Sequence, residues 1–139
     1  MTRKDVKRKA FTLVELLVVI VIISLVGGFL APNLFKYIGK AKKDLVAPKM
    51  AVVEEAIYRF QMDCKQFPNT LEDLLTDPGN VQGWTSAYLK PKQLKDPWGN
   101  EFLFMANGVA NPGSFDLVSL GADGQEGGEG DDEDVVNNE

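Results

Sequence analysis

Hydrophobic and polar positions divide the chain into three stretches with different periods. From Leu16 to Phe35, twenty successive residues carry no charge. As a helix they would reach about 30 Å, the depth of a bilayer core. The run is apolar on every face, as a lipid-exposed helix is. Pro32 sits inside it, removing one backbone donor and crowding the preceding turn, which predicts a kink or a locally melted segment. Lys36, Lys40, Lys42 and Lys43 then mark the return to a polar phase. Val53, Ala56, Ile57 and Phe60 follow at helical spacing, a stripe that a small sheet can cover. Pro48 interrupts this second stretch and predicts a bend, because the pattern resumes at once.

After the helix, punctuation becomes frequent and the period shortens. Gln66-Phe67-Pro68-Asn69-Thr70 opens a loop, and Thr70 can cap a short helix over Leu71 to Leu75 with Asp73 in an acidic first turn. Asp96-Pro97-Trp98-Gly99-Asn100 is a turn by its own chemistry, since proline fixes φ and glycine permits positive φ. Phe102, Leu103 and Phe104, then Phe115, Leu117, Val118 and Leu120, are short β-prone runs separated by Asn107-Gly108 and Asn111-Pro112-Gly113. Two or three antiparallel strands on the helix stripe would bury Trp98 and the phenylalanines. Each large aromatic covers about 150–250 Å², enough to dominate so small a core. The fold class is therefore α+β: a long N-terminal helix, first membrane-spanning and then amphipathic, packed on a small antiparallel sheet. At 139 residues, with some forty in the stalk, only one small domain remains.

Charge sharpens this picture. Arg3, Lys4, Lys7, Arg8 and Lys9 precede the apolar run against Asp5 alone, which orients a span with its N-terminus in the cytoplasm. No Lys or Arg follows Lys95, whereas eleven Asp and Glu do. With a net charge of -5 and that segregation, nucleic-acid binding by a basic patch is disfavoured. Glu15 stands at the mouth of the apolar run. A carboxylate there costs free energy unless paired or near water, which makes it a functional candidate. An ordinary secretory signal has a shorter apolar core and a small-residue cleavage site after it. Here that cut would discard the start of the amphipathic helix. A plain signal anchor explains the basic flank but leaves Glu15 without a purpose.

The order basic leader, Phe11-Thr12-Leu13-Val14-Glu15, apolar helix resembles the class III signal of type IV pilins and pseudopilins. Phe67-Pro68-Asn69-Thr70-Leu71-Glu72-Asp73-Leu74, Asp96-Pro97-Trp98-Gly99-Asn100 and Ser119-Leu120-Gly121-Ala122-Asp123-Gly124 narrow the resemblance to the major pseudopilins of type II secretion systems. The first motif is common to all pilin-like chains; the Asp-Pro-Trp-Gly turn with the closing loop is far more specific. The resemblance implies a leader of residues 1–10, cut between Ala10 and Phe11 by a prepilin peptidase that also methylates the new Phe11 amine. The family usually has Gly where this chain has Ala10. It further implies an assembly helix over 11–35 in the inner membrane and a periplasmic domain over 36–139. Glu15 would neutralise the terminal amine of a neighbouring subunit, and Pro32 would let the helix loosen in the fibre. Implied partners are further copies in a homopolymer, minor pseudopilins, an inner-membrane assembly platform and membrane lipid.

Cys64 is the only cysteine, so no internal disulfide can fasten the C-terminus. The resemblance implies a calcium ion in the last loop instead. The residues carry the right chemistry: Asp123, Glu126, Glu129, Asp131, Asp132, Glu133 and Asp134 are interleaved with Gly124, Gly127, Gly128 and Gly130. Calcium takes six to eight oxygens at roughly 2.3–2.6 Å from carboxylates and carbonyls. Matching the family's loop gives the Leu120 carbonyl, the Asp123 side chain, the Gln125 carbonyl and the side chains of Asp132 and Asp134, with Asp131 able to compete. A solvated acidic tail is the bland alternative. An EF-hand fits poorly, because Gln125 and Gly127 occupy ligand positions and no helices flank the loop. Catalysis is disfavoured: the chain has no histidine, Cys64 has no histidine partner, and no glycine-rich loop precedes a basic helix. The expected function is a non-enzymatic fibre subunit of the secretion pseudopilus. The alternatives are a type IV pilus-like subunit or a membrane-tethered calcium-binding module that never polymerises.

Overall fold

Helix α1, Leu13–Asp44, and helix α2, Val46–Cys64, are separated by the single residue Leu45 in a computed structural model that describes residues 11–137. The leader, with Ala10, lies outside the described residues. The break has a local cause. Pro48 has no N–H to offer the Asp44 carbonyl four residues back, and its ring crowds that carbonyl. The chain answers with a tighter turn, in which the Leu45 N–H reaches the Lys42 carbonyl at 3.0 Å. The bend expected at Pro48 is thus displaced to Leu45. At Pro32 only the melted alternative is absent. Helix α1 runs through it without interruption, so there is no melted segment here.

The described chain forms two compact units, one ending at Ile38 and the other starting at Gly39. In the first, side chains from Phe11 through Tyr37 are exposed wherever they are described, including every large apolar one. Among the described residues, Leu13–Cys64 contains the one candidate span, long and apolar enough to cross a membrane by length and composition.

In the second unit, α2 buries Val46, Met50, Val53, Ala56, Ile57, Phe60 and Cys64, the predicted stripe extended by two turns before Val53 and one after Phe60. Against it lies a three-stranded antiparallel sheet of order β1-β2-β3: β1 Leu103–Met105, β2 Asp116–Ser119 and β3 Val135–Val136. Leu103 pairs with Val118 and Met105 with Asp116; Val118 pairs with Val136 and Ser119 with Val135. Central β2 is buried at all four positions. Phe115, just before β2, is the hub, with ring centroids of Tyr58, Phe67 and Phe104 at 5.5, 5.5 and 5.8 Å. These are edge and tilted contacts of the kind aromatic quadrupoles favour. Trp98 is half-buried against this core rather than enclosed by it. The Thr70 segment is a 3-10 turn, Leu71–Leu74, in which the Asp73 carboxylate reaches back to the Asn69 and Thr70 N–H groups.

Candidate functional sites: the head of the helix and the C-terminal loop

Glu15 is not idle in the isolated chain. Its Oε2 accepts the Thr12 N–H at 2.9 Å and the Thr12 hydroxyl at 3.0 Å, while the Glu15 N–H reaches the Thr12 hydroxyl at 3.2 Å. This is the reciprocal capping box of a Thr-x-x-Glu helix start. The sequence carried that signal at Thr12-Leu13-Val14-Glu15, and it gives Glu15 a local purpose that a plain anchor would share. The cap uses one carboxylate oxygen. Among the described residues Oε1 accepts no hydrogen bond, and Phe11 beside it is 78 % exposed. A carboxylate lone pair and an exposed phenylalanine therefore stand together at the end of an uncovered apolar helix.

At the other end, the loop between β2 and β3 closes on itself. Continuing the antiparallel register beyond Ser119 and Val135 brings Leu120 and Asp134 to the same end of the ribbon. Asp132 lies between two glycines. A Cβ on Gly121 would come within 2.5 Å of the Asp132 main chain, and one on Gly128 within 2.6 Å of its carbonyl oxygen. Both glycines also have positive φ, so no other residue fits there without strain. The Ala122 N–H reaches the Asp131 carbonyl at 2.9 Å. Asp123 and Gln125 form a separate turn, with the Gln125 N–H on Asp123 Oδ1 at 3.1 Å.

Asp134 carries the one buried side-chain oxygen among the described residues that has no hydrogen-bond partner. Its Oδ2 accepts the Gly127 N–H at 2.8 Å, but its Oδ1 is buried without any hydrogen-bond partner. A buried carboxylate oxygen left unmatched is costly, and an ion is one of the few things that satisfies it. All available donors are oxygens, the set a hard cation takes. Among the described residues, however, no three acidic, histidine or cysteine side chains converge on a point. A cation here would draw on carbonyls as much as on carboxylates. Of the anticipated ligands, Leu120, Asp132 and Asp134 lie at one end of the loop, whereas Asp123 and Gln125 keep to their own turn.

Several residues that hold this loop escaped sequence reasoning. Asp96 is buried, and its Oδ1 accepts the N–H groups of Trp98, Gly99 and Asn100 at 2.9, 2.8 and 2.9 Å. Its Oδ2 takes the Ser119 hydroxyl at 2.8 Å, so the Asp-Pro-Trp-Gly turn is bolted to β2. Asn100 then donates to the Gly121 carbonyl at 2.9 Å, tying that turn to the loop. Asn137 fastens the C-terminus without a disulfide. Its N–H reaches the Leu117 carbonyl at 3.0 Å, its Oδ1 accepts the Leu117 N–H at 2.7 Å, and its carbonyl accepts Asn111 Nδ2 at 3.0 Å. The only hint in the sequence was an amide after a pair of valines, which is too common to mean much alone.

Asp116 organises the 109–111 loop behind β2. Burial opposes its ionisation, but N–H groups of Ala110, Val109 and Asn111, with the Asn111 amide, outweigh burial and hold the carboxyl below the usual value. A folded pKa lowered in this way stabilises the protein above the unfolded value and stops doing so as pH falls through the folded one. Asp116→Asn should therefore lower the melting temperature at neutral pH, and the gap from wild type should close below the ordinary value of 3.8. Melting curves of both proteins from pH 7 to pH 3 check this; a gap independent of pH would contradict it.

Comparison with known proteins matches both ends of the chain. The family model described as type II secretion system (T2SS), protein G covers residues 33–138, and the prokaryotic N-terminal methylation motif covers residues 6–31. Type II secretion system core protein G of Vibrio cholerae is 36% identical over 141 residues, covering 97% of this chain and 94% of the relative. The same protein of Xanthomonas campestris is 35% identical over 124 residues, covering 89% and 85%. In structure, the chain is similar to the major pseudopilin from the type 2 secretion system of enterohaemorrhagic Escherichia coli. That TM-score is 0.59 at 23% identity, over 76% of this chain and 94% of that one.

Proposed function

This chain belongs to the type II secretion system protein G family, the major pseudopilins, and we propose that it is the repeating subunit of a periplasmic pseudopilus that drives folded proteins across the outer membrane. One observation carries the reading: the apolar segment from Phe11 to Tyr37 is exposed, and a carboxylate with a spare oxygen stands at its head. That surface must be covered, first by inner-membrane lipid and then by the same helices of sister subunits. Leader removal after Ala10 frees the Phe11 amine; Glu15 of one subunit then pairs with the methylated amine of another as both leave the lipid. A charge pair formed in a low-dielectric setting is worth far more than one in water. Pro32 lacks an N–H, so the helix can loosen there once packed in the fibre, although it is unbroken in the isolated chain.

A type IV pilus-like subunit would share the helix but not the loop, and a tether would share the loop but never polymerise. Minor pseudopilins, an assembly platform, a prepilin peptidase and a cytoplasmic ATPase complete the proposed machine. Bound calcium would neutralise crowded carboxylates in the last loop. Asp134, with its unmatched Oδ1, and Asp132, between its two glycines, are the residues best placed to hold it, joined by Asp123 and the Leu120 and Gln125 carbonyls. Asn100 and Asn137 keep the loop's ends in place around it.

Deletion of this gene should leave folded exoproteins trapped in the periplasm, and restoring the wild-type chain should release them. In the restored strain, mass spectrometry should find a monomethylated Phe11 N-terminus. Normal export after deletion, or an intact Met1 terminus on the working protein, contradicts the proposal.

A further inference from the structure

Four acidic residues in a row, Asp131 to Asp134, are sorted by the structure into two pairs. Asp131 and Glu133 lie against α1. Gly39 is buried, and a Cβ there would collide with the Asp131 carboxylate. One turn further on the same helix face, Lys43 Nζ pairs with Glu133 Oε2 at 2.5 Å and donates to the Gly130 carbonyl at 3.1 Å. The Asp132 main chain and Cβ pack on Gly121 and Gly128 inside the loop, and the Asp134 carboxylate accepts the Gly127 N–H there.

We propose that Gly39 and Lys43 are positioning residues for the metal loop: they seat Asp131 and Glu133 on the helix and so leave Asp132 and Asp134 free to face the ion. The inference rests on the calcium reading above. The seat works by opposites. Gly39 provides room for a carboxylate that would otherwise swing into the loop and compete as a ligand, and Lys43 provides the charge that holds the next one away. Crowded carboxylates repel one another, so without the seat all four would spread toward solvent and toward any cation. The Ala122 N–H, bonded to the Asp131 carbonyl, carries the position of the seat to the loop's first turn.

Gly39→Ala is a sharp probe, because alanine favours the helix by up to about 1 kcal/mol while filling the seat. Lys43→Gln removes the charge at similar length, and Lys43→Arg keeps it. The full mature chain in detergent is titrated with calcium by calorimetry, and amide exchange at Ala122 is followed in chelator. Calcium should bind roughly tenfold more weakly to Gly39→Ala and Lys43→Gln, the usual cost of losing a residue that orients ligands. Lys43→Arg should recover most of it. Ala122 should exchange faster in both weakened variants, with melting in chelator unchanged or, for Gly39→Ala, raised. If wild type binds calcium and both variants bind within twofold of it, the seat is overturned and the metal reading stands. If wild type takes up no calcium, the metal reading falls and takes the positioning role with it.

Discussion

Glu15→Val is expected to leave the protein in the membrane and to abolish fibre formation and secretion. Insertion should not suffer, since replacing a carboxylate beside an apolar span removes a cost. The capping box will be lost, at a cost of about 0.5–2 kcal/mol confined to the first helical turn. That alone could be blamed for an assembly defect, so the cap and the intersubunit pairing must be separated. Thr12→Ala does so: it removes both hydroxyl bonds of the box, to the Glu15 carboxylate and from the Glu15 N–H, keeps the residue-12 N–H on Oε2, and leaves the carboxylate for a neighbour's amine. Thr12→Ala should assemble and secrete, Glu15→Val should not, and Glu15→Asp should fall between because its reach is shorter. Secretion at wild-type levels from Glu15→Val would refute the pairing role. Equal failure of Thr12→Ala and Glu15→Val would assign the defect to the cap.

The second large effect is expected from calcium. A ligand that binds only the folded state stabilises it by RT ln(1 + [L]/Kd), about 4 kcal/mol at a thousandfold excess. Against a total of about 5–15 kcal/mol that is a large share, and for a domain of this size it should move melting by on the order of 10 °C or more. The mature chain in detergent should therefore melt well above its chelator value when calcium is added. Magnesium should substitute poorly, because it demands a tighter octahedral shell and sheds water reluctantly. Asp134→Ala should abolish the difference, since it removes the unmatched Oδ1 as well as the bond to Gly127. Asp123→Ala should do the same, and the exposed Glu126→Ala should do little. Superimposable curves in calcium and chelator at near-physiological salt would return the loop to a solvated acidic tail.

Legibility from the sequence followed the range of the interaction. The uncharged run, the Val53-Ala56-Ile57-Phe60 stripe and the Asp96–Asn100 turn are written in local spacing, and the structure has all three where expected. Strand β3 is not legible in the sequence, because two valines in an acidic tail pair only with Val118 and Ser119, far back along the chain. Pro48 announced a break but not its place: the clash falls on the carbonyl four residues earlier, so the helix yields at Leu45. Trp98 was expected in the core and is half-buried, since its turn is held from beneath by the Asp96 carboxylate rather than by the indole. Asp96, Asp116 and Asn137 went unread for a common reason. A buried polar residue looks like any surface polar residue until the fold brings its partners to it. Glu15 stands out by its cost in the membrane, and its bond to Thr12 is also local, a Thr-x-x-Glu spacing at the helix start.

Polymerisation through the N-terminal helix is open to electron microscopy of the surface-sheared fraction. Cells that overproduce the wild-type chain together with the secretion machinery and its prepilin peptidase should shed thin periodic filaments. Those filaments should consist mainly of this protein with Phe11 as its first residue. A correctly processed chain that stays wholly in the inner membrane, with no filament in the sheared fraction, would contradict the account and leave a tethered module in its place.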